Sequence, residues 1–128
     1  MNDFRKGIAA AALGDVEACG PDAASRRYLF GEDFVGFSGH FPGDPVLPAV
    51  AQLRTVVSLA EECAGRPLRL AEIRSAKFLF PILPGKEVLV RYRRSAGDDG
   101  DLYDATLSIE GKKAASFLLR LADAGDRR

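Results

Sequence analysis

The sequence is short of the residues that most often carry chemistry: one histidine, two cysteines, one methionine and no tryptophan. Each shortage excludes something. One His and two distant Cys cannot assemble a metal centre, so no metal is expected. Cys19 and Cys63 are too few for a disulfide framework. They fit a reducing, cytosolic setting, as small core residues rather than ligands or nucleophiles. Neither sign of charge is in excess: Lys plus Arg and Asp plus Glu are 18 each. That balance gives no reason to propose a nucleic acid or an anionic membrane as partner. No apolar run approaches the ~20 residues of a membrane span. No repeat and no low-complexity linker divides the chain, so 128 residues read as one domain, residues 1–128.

The opening stretch, "MNDFRKGIAAAALG", faintly imitates a signal peptide, with two basic residues before an apolar run. The run Ile8 to Leu13 is short for that purpose, and "GDVEAC" offers no small-x-small cleavage site. A short surface helix is the expectation.

Further along, "RRYLF", residues 26–30, suits a strand. From Pro48 to about Ala64 the pattern turns helical, with Pro48 in the first turn and Gly65 and Pro67 ending it. At about 100° per residue, Val50, Leu53, Val56, Val57, Leu59, Ala60, Cys63 and Ala64 cover nearly half the circumference. Arg54, Thr55, Ser58, Glu61 and Glu62 fall on the other side, and Gln52 lies inside the apolar arc. So wide an apolar surface predicts a helix wrapped by sheet. Residues 68–80, "EVLVRYRR", "LYDATLSI" and "ASFLLRL" supply the strands, the last three with clear alternation. "AGDDGD" and "EGKK" are turns. Short turns make antiparallel neighbours, so the class is α+β, one sheet curled around one helix.

The segment that stands out is "GHFPGDPVLPAVAQLRTV", Gly39 to Val56, which sets the single histidine, His40, in a Gly/Pro-bounded loop before the helix. "GHFPGDPVLPAVAQL" resembles the active-site segment of the 3-hydroxyacyl-acyl-carrier-protein dehydratases: a His-Phe-Pro-Gly turn, a Pro-x-x-Pro-Gly, then the helix. "AKFLFPILPGKEV" resembles the family's second signature, and "IEGKKAAS" its final hairpin. The resemblance covers roughly residues 14–122. "VLPAVAQL" is closer to small dehydratase-like proteins of specialised acyl-chain pathways, such as aryl polyene synthesis, than to the housekeeping FabA/FabZ-like enzymes. It implies a hotdog fold, the long helix wrapped by a curled antiparallel sheet. It also implies a homodimer, or an assembly of dimers, paired edge to edge with the sites at the interface. The substrate would be an acyl thioester on acyl carrier protein or coenzyme A, in the cytoplasm, with no bound cofactor. Phe41, Gly43, Pro48, Ala49, Val50 and Gln52 would line the substrate site.

Removing water from a 3-hydroxyacyl thioester needs a base for the C2 proton and an acid for the departing hydroxyl. His40 suits the base, its reference pKa of about 6.5 lying near neutrality. Amides at a helix start, those of Ala49 and Val50, suit the carbonyl oxygen as it gains charge. Position 49, glycine in the family, is Ala here, which narrows the space beside the thioester. The acid is the difficulty. Fourteen residues after the motif histidine the family carries Glu or Asp, contributed across the dimer, and this chain carries Arg54. A guanidinium stays protonated and is a very poor proton donor. Three readings follow. The protein still dehydrates, with another acid (Asp44 or Glu61) or a water held by Arg54. Or it keeps the acyl pocket without elimination, and binds acyl chains, binds carrier protein or complements an active subunit. Or Arg54 holds a carboxylate or phosphate, and another reaction such as thioester hydrolysis takes place. The first is favoured. Arg26, Arg27, Lys77, Arg91, Arg93 and Arg94 are candidates for a surface that meets an acidic carrier protein.

Overall fold

In the computed structural model the residues described are 2–17, 20, 22–34 and 46–124. A helix, α1 (Asn2–Ala11), leads into two strands, β1 (Ala12–Glu17) and β2 (Ala23–Leu29). The long helix α2 (Ala49–Ala64) comes next. Four strands then complete the chain: β3 (Leu68–Phe78), β4 (Glu87–Ser95), β5 (Asp101–Ile109) and β6 (Lys112–Asp123). The strands form one antiparallel sheet in the order β1-β2-β4-β5-β6-β3, curled around α2, as the alternating pattern predicted.

Alternation decides which way each strand faces. Val88, Val90 and Tyr92 of β4, Tyr103, Ala105 and Leu107 of β5, and Ala115, Phe117, Leu119 and Leu121 of β6 are all buried. They share one face because a strand's side chains alternate with period two. The β5–β6 hairpin turns at Glu110 and Gly111, both with positive φ (52° and 81°), the twist that suits a two-residue hairpin. At the other end of β5, Gly100 has φ 120°, and a Cβ there would stand 2.7 Å from the Leu121 carbonyl oxygen, so only glycine fits.

Several expectations change. Pro48 stands at the N-cap of α2, not inside it, because its ψ of 160° is extended. Gly65 closes the helix in the left-handed conformation, φ 73°, donating its N–H to Glu61 O at 2.8 Å. The buried stripe of α2 is rotated from the predicted arc: Ala51, Gln52, Thr55, Val56, Val57, Leu59 and Ala60 are buried, while Val50 is 49% exposed. Thr55 can go inside because its Oγ1 donates to Ala51 O at 2.7 Å, which satisfies the hydroxyl locally. The expected N-terminal helix is present, with Ile8 and Ala11 buried against the core. Strand β1, which no sequence pattern announces, pairs with β2 through an irregular register between Leu13 and Glu17.

Cys63 is disulfide-bonded, which corrects the expectation of a reduced core thiol and removes the cysteine argument for a cytosolic setting. Cys19 lies outside the described residues. No helix among the described residues is long and apolar enough to cross a membrane.

Candidate active site

The start of α2 is held by backbone. Leu47 N–H donates to Ile82 O at 2.8 Å, which ties the approach to the helix onto the segment between β3 and β4. Pro48 brings no side-chain cap, and its carbonyl accepts from both Ala51 N and Gln52 N at 3.1 Å. That leaves the amides of Ala49 and Val50. Both residues are exposed, and neither amide has a hydrogen-bond partner among the described residues. The first N–H groups of any helix lack intrahelical acceptors and carry its partial positive charge. Here nothing from the described protein occupies them.

Two side chains of the first turns face opposite ways. Gln52, 4% exposed, folds back so that Nε2 donates to Leu47 O at 3.0 Å. Its Oε1 is buried and has no partner among the described residues. A buried carbonyl left unpaired costs about 1 to 3 kcal/mol. Arg54, two residues on and about 200° around the helix, is exposed. It lines a groove of 360 Å³ with Val50, Leu53 and Val57 of α2 and Leu68, Arg69 and Leu70 of β3. Five of those lining residues are apolar and two, Arg54 and Arg69, carry guanidiniums.

Strand β3 forms the groove's other wall, although no sequence motif gives it a role in the site. Leu70 and Ile73 lie opposite the inward-facing Leu121 and Leu119 of β6, and Phe78 lies opposite Ala115. Directly paired residues share a face, so all three point to the inner side of the sheet. Yet they remain 38%, 47% and 50% exposed, because α2 does not reach over them. The signal is masked by two register irregularities, between Leu70 and Glu72 and between Ile73 and Ser75, which break the alternation a strand normally shows.

Of the residues named from the sequence, Pro48, Ala49, Val50, Gln52 and Arg54 fall within two turns at one end of α2. His40, Phe41, Gly43 and Asp44 lie outside the described residues. Glu61 is engaged elsewhere: its Oε2 accepts from Leu68 N at 2.8 Å, which joins the end of α2 to the first residue of β3. The six basic residues do not make one surface. Arg26 donates to Gly14 O and pairs with Glu62, Arg27 pairs with Glu87, and Arg94 with Asp22 and Asp101. Lys77 lies on β3, at the opposite edge of the sheet from β1 and β2.

A sequence model of the ApeI-like family, described as ApeI dehydratase, matches residues 19–117. The 3-hydroxyacyl-acyl-carrier-protein dehydratase FabZ of Brucella melitensis is 33% identical over 89 residues, 62% of this chain and 56% of the relative. The chain thus spans little more than half the length of that relative. FabZ of Ligilactobacillus salivarius is 33% identical over 105 residues, covering 73% of this chain and 71% of that protein. Among solved structures, the dehydratase heterocomplex ApeI:P from Xenorhabdus doucetiae superposes with a TM-score of 0.76. It has 23% identity and covers 87% of this chain and 96% of that one. A hypothetical thioesterase from Streptococcus pneumoniae, solved with coenzyme A, gives 0.68 at 10% identity, covering 89% and 90%. These two likenesses show the hotdog fold.

Proposed function

The chain belongs to the ApeI-like dehydratase family, and from that premise we propose that it removes water from 3-hydroxyacyl thioesters carried on acyl carrier protein. The observation that carries this reading is the start of α2, where two outward-facing amides stand free of any described acceptor beside a buried carboxamide. In the proposed reaction, His40 takes a proton from C2. The electron pair forms the C2–C3 double bond as the C3–O bond breaks, and the hydroxide leaves with a proton as water. The amides of Ala49 and Val50 hold the thioester oxygen while charge builds on it. Arg54 is not the proton donor. It holds and polarises the water molecule or the acid that is.

We further propose that a second chain completes the site by adding to the edge of β3 that has no strand partner among the described residues. Leu70, Ile73 and Phe78 form an apolar inner surface that α2 leaves uncovered, and an unpaired edge strand invites another strand. Arg54 favours a second reading of the same assembly, in which this chain is the partner subunit and an acidic residue comes from a different hotdog chain. The neighbour described as a heterocomplex is in keeping with that arrangement.

The test is turnover of a 3-hydroxyacyl thioester on acyl carrier protein, followed by mass spectrometry, for the wild type, His40→Ala and Arg54→Glu. Loss of water by the wild type, abolished in His40→Ala, is the expected result. A wild type that is inert alone, and gains activity only as Arg54→Glu, would reject the dehydratase reading and leave the partner-subunit one.

A further inference from the structure

We infer that Gln52 is a specificity group that reads the 3-hydroxyl of the acyl chain through its carbonyl oxygen; this rests on the acyl-thioester reading above. Gln52 sits among residues that need no polar neighbour: Ala51, Val56 and Leu59 around it are buried and apolar. Its side chain's bond to the carbonyl of buried Leu47 uses the nitrogen only and gives no role to the oxygen. The carboxamide is also fixed. Nε2 is committed to Leu47 O at 3.0 Å, and turning the amide over would set two carbonyl oxygens against each other. The nitrogen therefore points at Leu47, and the oxygen is left buried with no partner among the described residues. A carbonyl oxygen only accepts, so what it is built to meet is a hydrogen-bond donor.

Its position says which donor. Side chains on a helix lean toward the N-terminus, and the contact with Leu47 O holds this carboxamide at the end of α2 where the Ala49 and Val50 amides stand. Donors and an acceptor thus share one helix end. A 3-hydroxyacyl thioester presents the matching pair, a carbonyl oxygen at C1 and an O–H at C3, two carbons apart. The 2-enoyl product and a saturated chain keep the first and lack the second. A site built to bond a hydroxyl disfavours analogues without it, because its own polar group is left unpaired. Gln52 therefore separates substrate from product and from saturated chains.

The experiment is calorimetric binding to the full-length protein of three coenzyme A conjugates in which an amide replaces the thioester, so that neither hydrolysis nor elimination intervenes. The chains are 3-hydroxydecanoyl, 3-fluorodecanoyl and decanoyl. The wild type is expected to bind the hydroxy chain about tenfold more tightly than the other two, the usual scale for one buried hydrogen bond. Gln52→Met, close in length but without the acceptor, is expected to lose the preference by weakening the hydroxy chain alone. Equal binding of all three chains by the wild type overturns the inference, leaves the acyl-thioester reading standing, and needs no folded variant. So does a Gln52→Met protein that keeps the preference, or one that weakens all three equally. Binding of none of the three overturns both.

Discussion

Arg54 and Gln52 stand two residues apart and illustrate how far a single position can be read. The sequence marks both as out of place: a cation where an acid belongs, and an amide on an apolar arc. In the structure Gln52 is buried and Arg54 exposed, so helical angle alone located them. What periodicity could not supply is the partner of each atom. It gives the face of a side chain, not the direction of its carbonyl, and the unpaired Oε1 emerges only from the contact with Leu47. Glu61 shows the converse. By type it is a candidate proton donor, but its carboxylate is taken up by the Leu68 amide, a role no pattern predicts. Glu61→Ala should therefore lower stability by about 1 to 2 kcal/mol in urea unfolding, the cost of a charge-assisted hydrogen bond. It should leave the rate of water loss per folded molecule unchanged. A variant of full stability with no turnover would return Glu61 to the active site.

At the level of elements, strands with clean alternation were legible and the others were not. β4, β5 and β6 bury the very residues their spacing named. β1, with Gly14 and Asp15 in six residues, carries no alternation and gives no signal of its own. The stripe on α2 is displaced from its expected place because hydropathy ranks Thr below Val. Thr55 pairs its own hydroxyl within the helix and goes inside, while Val50 faces the open groove. That groove and the bare inner face of β3 are the surfaces the proposed second chain would cover. Ile73→Lys puts a charge in the middle of that face, where it must be desolvated on pairing. Sedimentation should show the wild type as a dimer and Ile73→Lys as a monomer with an unaltered far-ultraviolet spectrum. A variant that remains dimeric at micromolar concentration would remove β3 from the interface.

Across the whole molecule, the tyrosines report on the integrity of the core. Only three are present, and all are buried on the inner side of the sheet. Burial pushes the phenols of Tyr28 and Tyr92 up to about 12 from an ordinary value of 10.0. For Tyr28 the nearby Arg26 opposes the rise, and for Tyr92 the neighbouring Tyr103 adds to it. Burial raises Tyr103 as well. A phenol is neutral when protonated, so the folded state holds these protons more tightly than the unfolded chain. The stabilisation is full below pH 10 and is lost as pH climbs from 10 through 12, each tenfold difference in proton affinity being worth ~1.4 kcal/mol. Melting temperature should fall in that window, with phenolate absorbance at 295 nm appearing together with unfolding. Phenolate forming near pH 10 in a protein that is still folded would contradict the packing described.

The two irregularities in β3 have a consequence for how this chain can change over evolutionary time. Ala71 and Arg74 are the supernumerary residues: across each, β3 advances two positions while β6 advances one. A single-residue deletion in an ordinary strand turns everything beyond it inside out. Loss of either of these two would instead relax a bulge, and Leu70, Ile73 and Phe78 would keep their side of the sheet. The strand that borders the groove is thus one in which length can vary by a residue without exchanging its wet and dry faces.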